Sequence, residues 1–175
     1  MDINYDIEIF PELNSQLKSS WQDFETESCN YCFQSYDWFE NWFLNFRKNN
    51  KKFSLCVIKV SFNAKILCIL PLEIEKKLNL NILQWAGGNQ SDYFSPIISQ
   101  EFNLQKEEFI NLWNKIIKLI PNIDLIYLKR QNEDVENIKN PFVSFLNNHF
   151  DSTIYQISLP KNWEEYTNRI LKKSF

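Results

Sequence analysis

Two long apolar runs, FSLCVIKV (53–60) and KILCILPLEI (65–74), flank the short polar turn Asn63-Ala64. Asn tolerates positive φ, so the pattern predicts a β-hairpin. Both runs are almost continuously apolar, whereas a strand half in water alternates; they belong in the middle of a sheet covered on both faces. Ile66 to Leu70 is expected to be central. A third run, Ile82 to Trp85, ends at Gly87-Gly88, the only two glycines in the chain. Both at one strand end imply a backbone path that side chains obstruct.

Around this core the period lengthens. Asp6 to Phe10 alternates like a first strand, and Pro11 then opens a helix with Leu13, Leu17, Trp21 and Phe24 on one face. Ser28 to Gln34 breaks the pattern and reads as a loop. A second helix, capped by Ser35 or Asp37, carries Trp38, Phe39, Trp42, Phe43 and Phe46 as an inward stripe, with Glu40, Asn41, Asn45, Arg47 and Lys48 in solvent. Gln105 to Ile120 is a third helix with Phe109, Leu112, Trp113, Ile116, Leu119 and Ile120 inward. Asp124 to Leu128 reads as a short buried strand, Gln131 to Lys139 as a surface loop, and Asn140-Pro141 as the start of a short helix. Thr153 to Leu159 is expected to be a strand. Asn162 and Glu165 frame a capping box for a last helix, begun by Trp163 and Tyr166. The sum is an α/β fold, a mixed central sheet flanked by helices on both faces.

Composition narrows the function classes. With 175 residues, 44% hydrophobic and 16% aromatic, the chain builds one sizeable core. Its net charge of −3 is spread through mixed acids and bases, which gives no reason to expect a nucleic-acid partner. No apolar run approaches bilayer length and the start lacks a signal peptide's basic end, so a soluble, cytoplasmic protein is expected. Cys29 and Cys32 have CxxC spacing but no second pair, and the one histidine, His149, has no evident partner; no metal site is expected. Cys56 and Cys68 fall within the hairpin strands and read as packing residues.

The candidate site is the loop after the third run. Gly87, Gly88, Asp92 and Tyr93 place a carboxylate and a phenol just past a buried strand, where open α/β sheets collect ligands. An Asx-type turn capped by Asp92 explains the same residues equally well. No nucleophile with a matched histidine and acid is present, so no catalytic residue is assigned.

Four motifs in order carry a family resemblance. Gln34-Ser35-Tyr36-Asp37-Trp38-Phe39-Glu40-Asn41-Trp42 resembles the F-x-S-x-x-W-x-x-x-W entry of CelD/BcsL-type acetyltransferase-like proteins, relatives of the FemAB peptidyltransferases. Ile69-Leu70-Pro71-Leu72 is similar to their hairpin strand, with Ala64 where they usually have glycine. Trp85-Ala86-Gly87-Gly88 with Ser91-Asp92-Tyr93 resembles their L-G-G-x-x-x-x-D-Y segment, and Asn162-Trp163-Glu164-Glu165-Tyr166 their S-W-E-E-Y. The resemblance implies a GNAT-like fold in residues 1–160. It implies that residues 161–175 begin a helix that looks truncated, leading into a second GNAT half. It further implies acetyl-CoA or another acyl-CoA as cofactor of the full-length protein, an amino sugar or other amine as acceptor, and a link to exopolysaccharide or cellulose synthesis. The acyl-CoA loop of such domains, [Q/R]-x-x-G-x-[G/A] ahead of a helix, has no counterpart here: none of Arg47, Arg130 and Arg169 precedes a glycine-containing loop. No cofactor is therefore expected for this chain alone, and its partner would be the second half. A stand-alone binding module using the Gly87–Tyr93 loop is the competing expectation.

Overall fold

The computed structural model describes residues 4–148 and 159–170. Strand β1 (Asp6–Phe10) leads to helix α1 (Ser15–Glu25), strand β2 (Ser28–Cys29), a 3₁₀ turn (Cys32–Gln34) and helix α2 (Tyr36–Phe46). Strands β3 (Phe53–Phe62), β4 (Lys65–Lys77), β5 (Leu80–Trp85) and β6 (Ile97–Ser99) follow. Helix α3 (Lys106–Leu119), strand β7 (Leu125–Ile126), the small hairpin β8 (Asp134–Val135) and β9 (Ile138–Lys139), and helices α4 (Pro141–Phe145) and α5 (Trp163–Ile170) complete the order.

The β3–β4 hairpin turns on Asn63 and Ala64 with φ of 49° and 63°, as expected, and β4–β5 turns on Leu78 and Asn79 at 51° and 64°. Two consecutive positive φ values match the right-handed twist of the flanking strands. The main sheet runs β1-β3-β4-β5-β7, antiparallel except for the parallel β5–β7 pair, so β4 is central. Alternate residues of β3 and β4 serve two cores. Leu55, Val57 and Ile69 meet Leu17, Trp21 and Phe24 of α1 and Tyr36, Phe39 and Trp42 of α2. Cys56, Ile58, Val60, Cys68, Leu70 and Leu72 meet Phe109, Leu112, Trp113 and Ile116 of α3 and Phe142 of α4. The near-continuous apolar runs follow from this double cover. Burial pushes the Cys56 and Cys68 thiols up to about 12, fitting a packing role.

Several expectations need correction. Helix α1 opens at Ser15, not Pro11, because Asn14 accepts the Leu17 N–H at 2.8 Å and sets the cap. The stretch 28–34 is partly regular, because Ser28 and Cys29 pair with Ser99 and Ile98. Residues 131–139 contain the β8–β9 hairpin, whose Val135 is buried against Cys29 and Ile98. The buried strand expected at 124–128 is instead an exposed edge: Leu125, Ile126 and Tyr127 have no covering layer among the described residues. Phe46 and Leu119, expected inward, are 49% and 53% exposed at the ends of their helices, where the next residues, Arg47 and Ile120, take the positions facing the sheet instead. His149 and the strand expected at 153–159, apart from exposed Leu159, lie outside the described residues. Among the described residues no helix is long and apolar enough to cross a membrane, and no group of three or more metal-ligating side chains occurs.

Candidate functional site

β4 changes neighbour halfway along. Cys68 and Ile69 pair with Ile98 and Ile97 of β6, while Leu72 to Lys77 pair with β5, both antiparallel. β5 and β6 therefore lie in line along the same side of β4, and residues 86–96 are an excursion inserted into one interrupted strand. The Ala86 N–H still reaches Pro71 O at 2.9 Å before the chain leaves the sheet.

Gly87 and Gly88 make the departure, at φ of 128° and 58°. A Cβ on Gly87 would stand 2.3 Å from Ser91 Oγ and 2.8 Å from the Phe94 ring; one on Gly88 would stand 2.8 Å from Arg47 Nη2. Both positions need glycine for φ and for space. Phe94, buried, then crosses to the other side of the split: its N–H donates to Arg130 O at 2.9 Å and it bridges Gln131 in parallel. β5 and β7 pair over only two residues, and beyond Leu83 the chain's own Phe94 takes up pairing with the segment that follows β7.

Side chains outside the loop hold it. Arg130 Nη1 donates to Ser91 O at 3.3 Å and Trp42 Nε1 to Gln90 Oε1 at 3.4 Å. Ser95 Oγ donates to Gln34 Oε1 at 3.2 Å, and buried Gln34 accepts at its backbone O from Trp21 Nε1 at 3.0 Å. Tyr93 lies edge-on between Tyr31 and Phe33, each at 5.1 Å between ring centres, and Phe33 meets Trp38 at 5.4 Å. Burial, and secondarily the neighbouring Cys32, raises the Tyr93 phenol above its ordinary value, so its proton stays in place at neutral pH. Asp92 is exposed beside it.

Arg47 contradicts its expected place in solvent. Its Nε and Nη2 grip the Glu73 carboxylate at 2.8 and 3.3 Å, and its guanidinium lies 3.8 Å from the Phe53 ring centre and 4.9 Å from that of Trp42. Glu73 is 1% exposed and also accepts from Gln84 Nε2 at 3.0 Å. Burial pushes the Glu73 carboxyl above the usual carboxylate range, with Arg47 pulling back. The residue alternation marks only one member of this pair: Glu73 follows the apolar run 66–72 on an inward position and so needs a buried partner, which the sequence does not identify.

Of the four sequence-predicted site residues, the two glycines serve the turn and its packing, while Asp92 and Tyr93 face outward on an aromatic surface. Tyr31, Phe33, Gln34, Arg47 and Arg130 were not foreseen as part of this neighbourhood. The space enclosed between the sheet and α3 amounts to about 10 Å³, room for a single water and lined by apolar groups such as Leu70, Phe109 and Trp113.

No protein-family model matches the sequence, and no curated protein matches it either. Two solved structures are similar in outline. One is a GNAT family acetyltransferase of Staphylococcus aureus subsp. aureus USA300_TCH1516, at 13% identity and a TM-score of 0.45, covering 88% of this chain and 100% of that one. The other is a possible acetyltransferase of Clostridium difficile 630, at 15% identity and a TM-score of 0.46, covering 89% of this chain and 98% of that one.

Proposed function

We propose that this chain is the N-terminal, non-catalytic half of a GNAT-type acyltransferase of the CelD/BcsL kind, linked to exopolysaccharide or cellulose synthesis. In this reading the second half holds acetyl-CoA or another acyl-CoA, and the Gly87–Tyr93 loop faces the amine acceptor. The supporting observation is how the glycine loop is filled. A pyrophosphate cradle needs backbone N–H groups with open approach. Here Ser91 and Phe94 crowd Gly87, and the Arg47 guanidinium crowds Gly88. The chain's own side chains already pack against both glycines. Trp163 of α5, 73% exposed and stacked on Tyr166 at 5.0 Å, offers an apolar surface to a following half.

Calorimetry of the 175-residue chain with acetyl-CoA tests the reading. Little heat is expected: losing two or three charge-assisted hydrogen bonds, about 1.5–3 kcal/mol each, weakens binding by several decades. Micromolar affinity would overturn it. The second reading, a stand-alone binding module, draws on the outward aromatic surface around Tyr93. It is favoured if the gene shows no in-frame continuation carrying a CoA loop.

A further inference from the structure

We infer that the end of the sheet where the α2–β3, β4–β5 and α3–β7 turns meet docks on an anionic membrane surface. The inference draws on charge and exposure at that end and is independent of the acyltransferase reading.

Hydrogen bonds bring the three turns together. The Lys76 N–H donates to Lys52 O at 2.7 Å, joining the turn after α2 to the end of β4. Lys76 and Lys77 then pair with Asn81 and Leu80 of β5. The Asp124 N–H donates to Asn81 O at 3.0 Å and Asn81 Nδ2 to Asn122 O at 2.8 Å, which adds the turn after α3. Lys48, Lys51, Lys52, Lys76 and Lys77 are exposed here, and none forms an ion pair with a described residue. The acids are fewer and engaged. Glu73 is neutralised by Arg47, Glu75 accepts from Gln84 Nε2 at 3.4 Å, and Asp124 accepts the Asn81 N–H at 2.7 Å. This end is therefore cationic in a chain whose net charge is −3.

Apolar side chains stand among the lysines. Leu78, at the tip of the β4–β5 hairpin, is 88% exposed, and Leu44, Phe46, Leu80 and Leu119 are exposed as well. Single exposed leucines are ordinary on a protein surface. Leu78 is set apart by its φ of 51°, a left-handed conformation that disfavours any side chain with a Cβ. It costs backbone strain and buries almost nothing against the described residues, so the fold gains nothing from a leucine there. A nucleic acid rewards the lysines and not the leucines. An anionic bilayer rewards both: the ammonium groups meet the headgroups while the leucines enter the acyl boundary. The mixture of the two on one end favours the bilayer.

The test is flotation of the 175-residue chain with vesicles of phosphatidylcholine, alone or mixed with phosphatidylglycerol. Binding to the mixed vesicles and not the neutral ones is expected, with loss of binding in high salt. Lys76→Gln with Lys77→Gln should weaken binding roughly 25-fold, at about fivefold for each lysine near an anionic surface. Leu78→Asn should weaken it roughly tenfold. That variant should melt no lower than the parent, because Asn suits the positive φ, so lost binding is not lost fold. Lys106→Gln, at the other end of α3, should leave binding unchanged. No flotation with the mixed vesicles, equal flotation with neutral ones, or an equal effect of Lys106→Gln overturns the inference. Flotation indifferent to Leu78→Asn, with a DNA duplex bound through the same lysines, would assign this end to nucleic acid and overturn it as well.

Discussion

Arg47 and Glu73 form a two-point ion pair across the α2–sheet interface, with the carboxylate 1% exposed and the guanidinium pressed towards Gly88. One pair thus ties the end of α2, the middle of the central strand and the glycine turn together. Removing either partner leaves a buried charge without compensation, at a cost of about 3–5 kcal/mol. Arg47→Ala is expected to lower the unfolding free energy read from urea melts by that much. Arg47→Met with Glu73→Leu should recover most of the loss, and failure of the double variant to recover would show that the pair does more than balance charge.

The same carboxyl predicts a pH dependence. Burial raises the Glu73 value in the folded protein above its value in the unfolded chain, so the folded state holds the proton more tightly. Its contribution to stability is fully present below the ordinary glutamate range and is lost as pH rises through the raised folded value. Glu73→Gln should flatten this part of a stability–pH curve. Urea melts at a series of pH values read the slope; an unchanged slope in the variant would assign it to other groups.

The fold was legible where local chemistry decides it. Asn63-Ala64 carries its turn in two residues, and the unbroken runs of β3 and β4 follow from cover on both faces. Phe10 to Phe24 misplaced a helix start because Pro11 and Asn14 both suit a first turn, and the Asn14 side chain wins by reaching the Leu17 N–H. Leu125 and Ile126 misled for a different reason: an apolar run states a capacity for burial, and no described residue covers this one. The site was legible at Gly87 and Gly88, whose position at a strand end signals an unusual path. Its holding groups were not, since Arg47 and Glu73 are 26 residues apart and Ser95 and Gln34 are 61 apart. Such pairs exist only once the sheet and α2 have come together.

Two of the turns carry removable strain. Ala64 sits at φ 63°, in the left-handed region where a Cβ meets the carbonyl, and Leu78 does so at 51° while 88% exposed. Ala64→Gly should stabilise by about 1 kcal/mol, because glycine at the second position completes the Asn-Gly pair favoured by this turn. Leu78→Asn should act in the same direction. Thermal melts of the two variants and their combination check this, and near-additive gains are expected because the turns belong to separate hairpins.

The glycine turn makes the sharpest contrast. Ser91 Oγ is fully buried, faces Gly87 and finds no hydrogen-bond partner among the described residues. An unsatisfied buried hydroxyl costs about 1–3 kcal/mol, so Ser91→Ala should be neutral or stabilising. Gly87→Ala should do the opposite. Its φ of 128° is a conformation side chains rarely adopt, and the new methyl would stand 2.3 Å from Ser91 Oγ and 2.8 Å from Phe94. Backbone strain of about 1–3 kcal/mol and overpacking of similar size then add. Gly88→Ala should be milder, because φ 58° lies in the left-handed helical region and the obstructing atom ends an arginine side chain. Combining Gly87→Ala with Ser91→Gly separates the two causes: it removes the contact with Oγ but leaves the φ, so it should restore part of the stability and not all of it. Full restoration in urea melts would place the whole cost in the contact with Ser91, and none would place it in the backbone and the remaining 2.8 Å contact with Phe94.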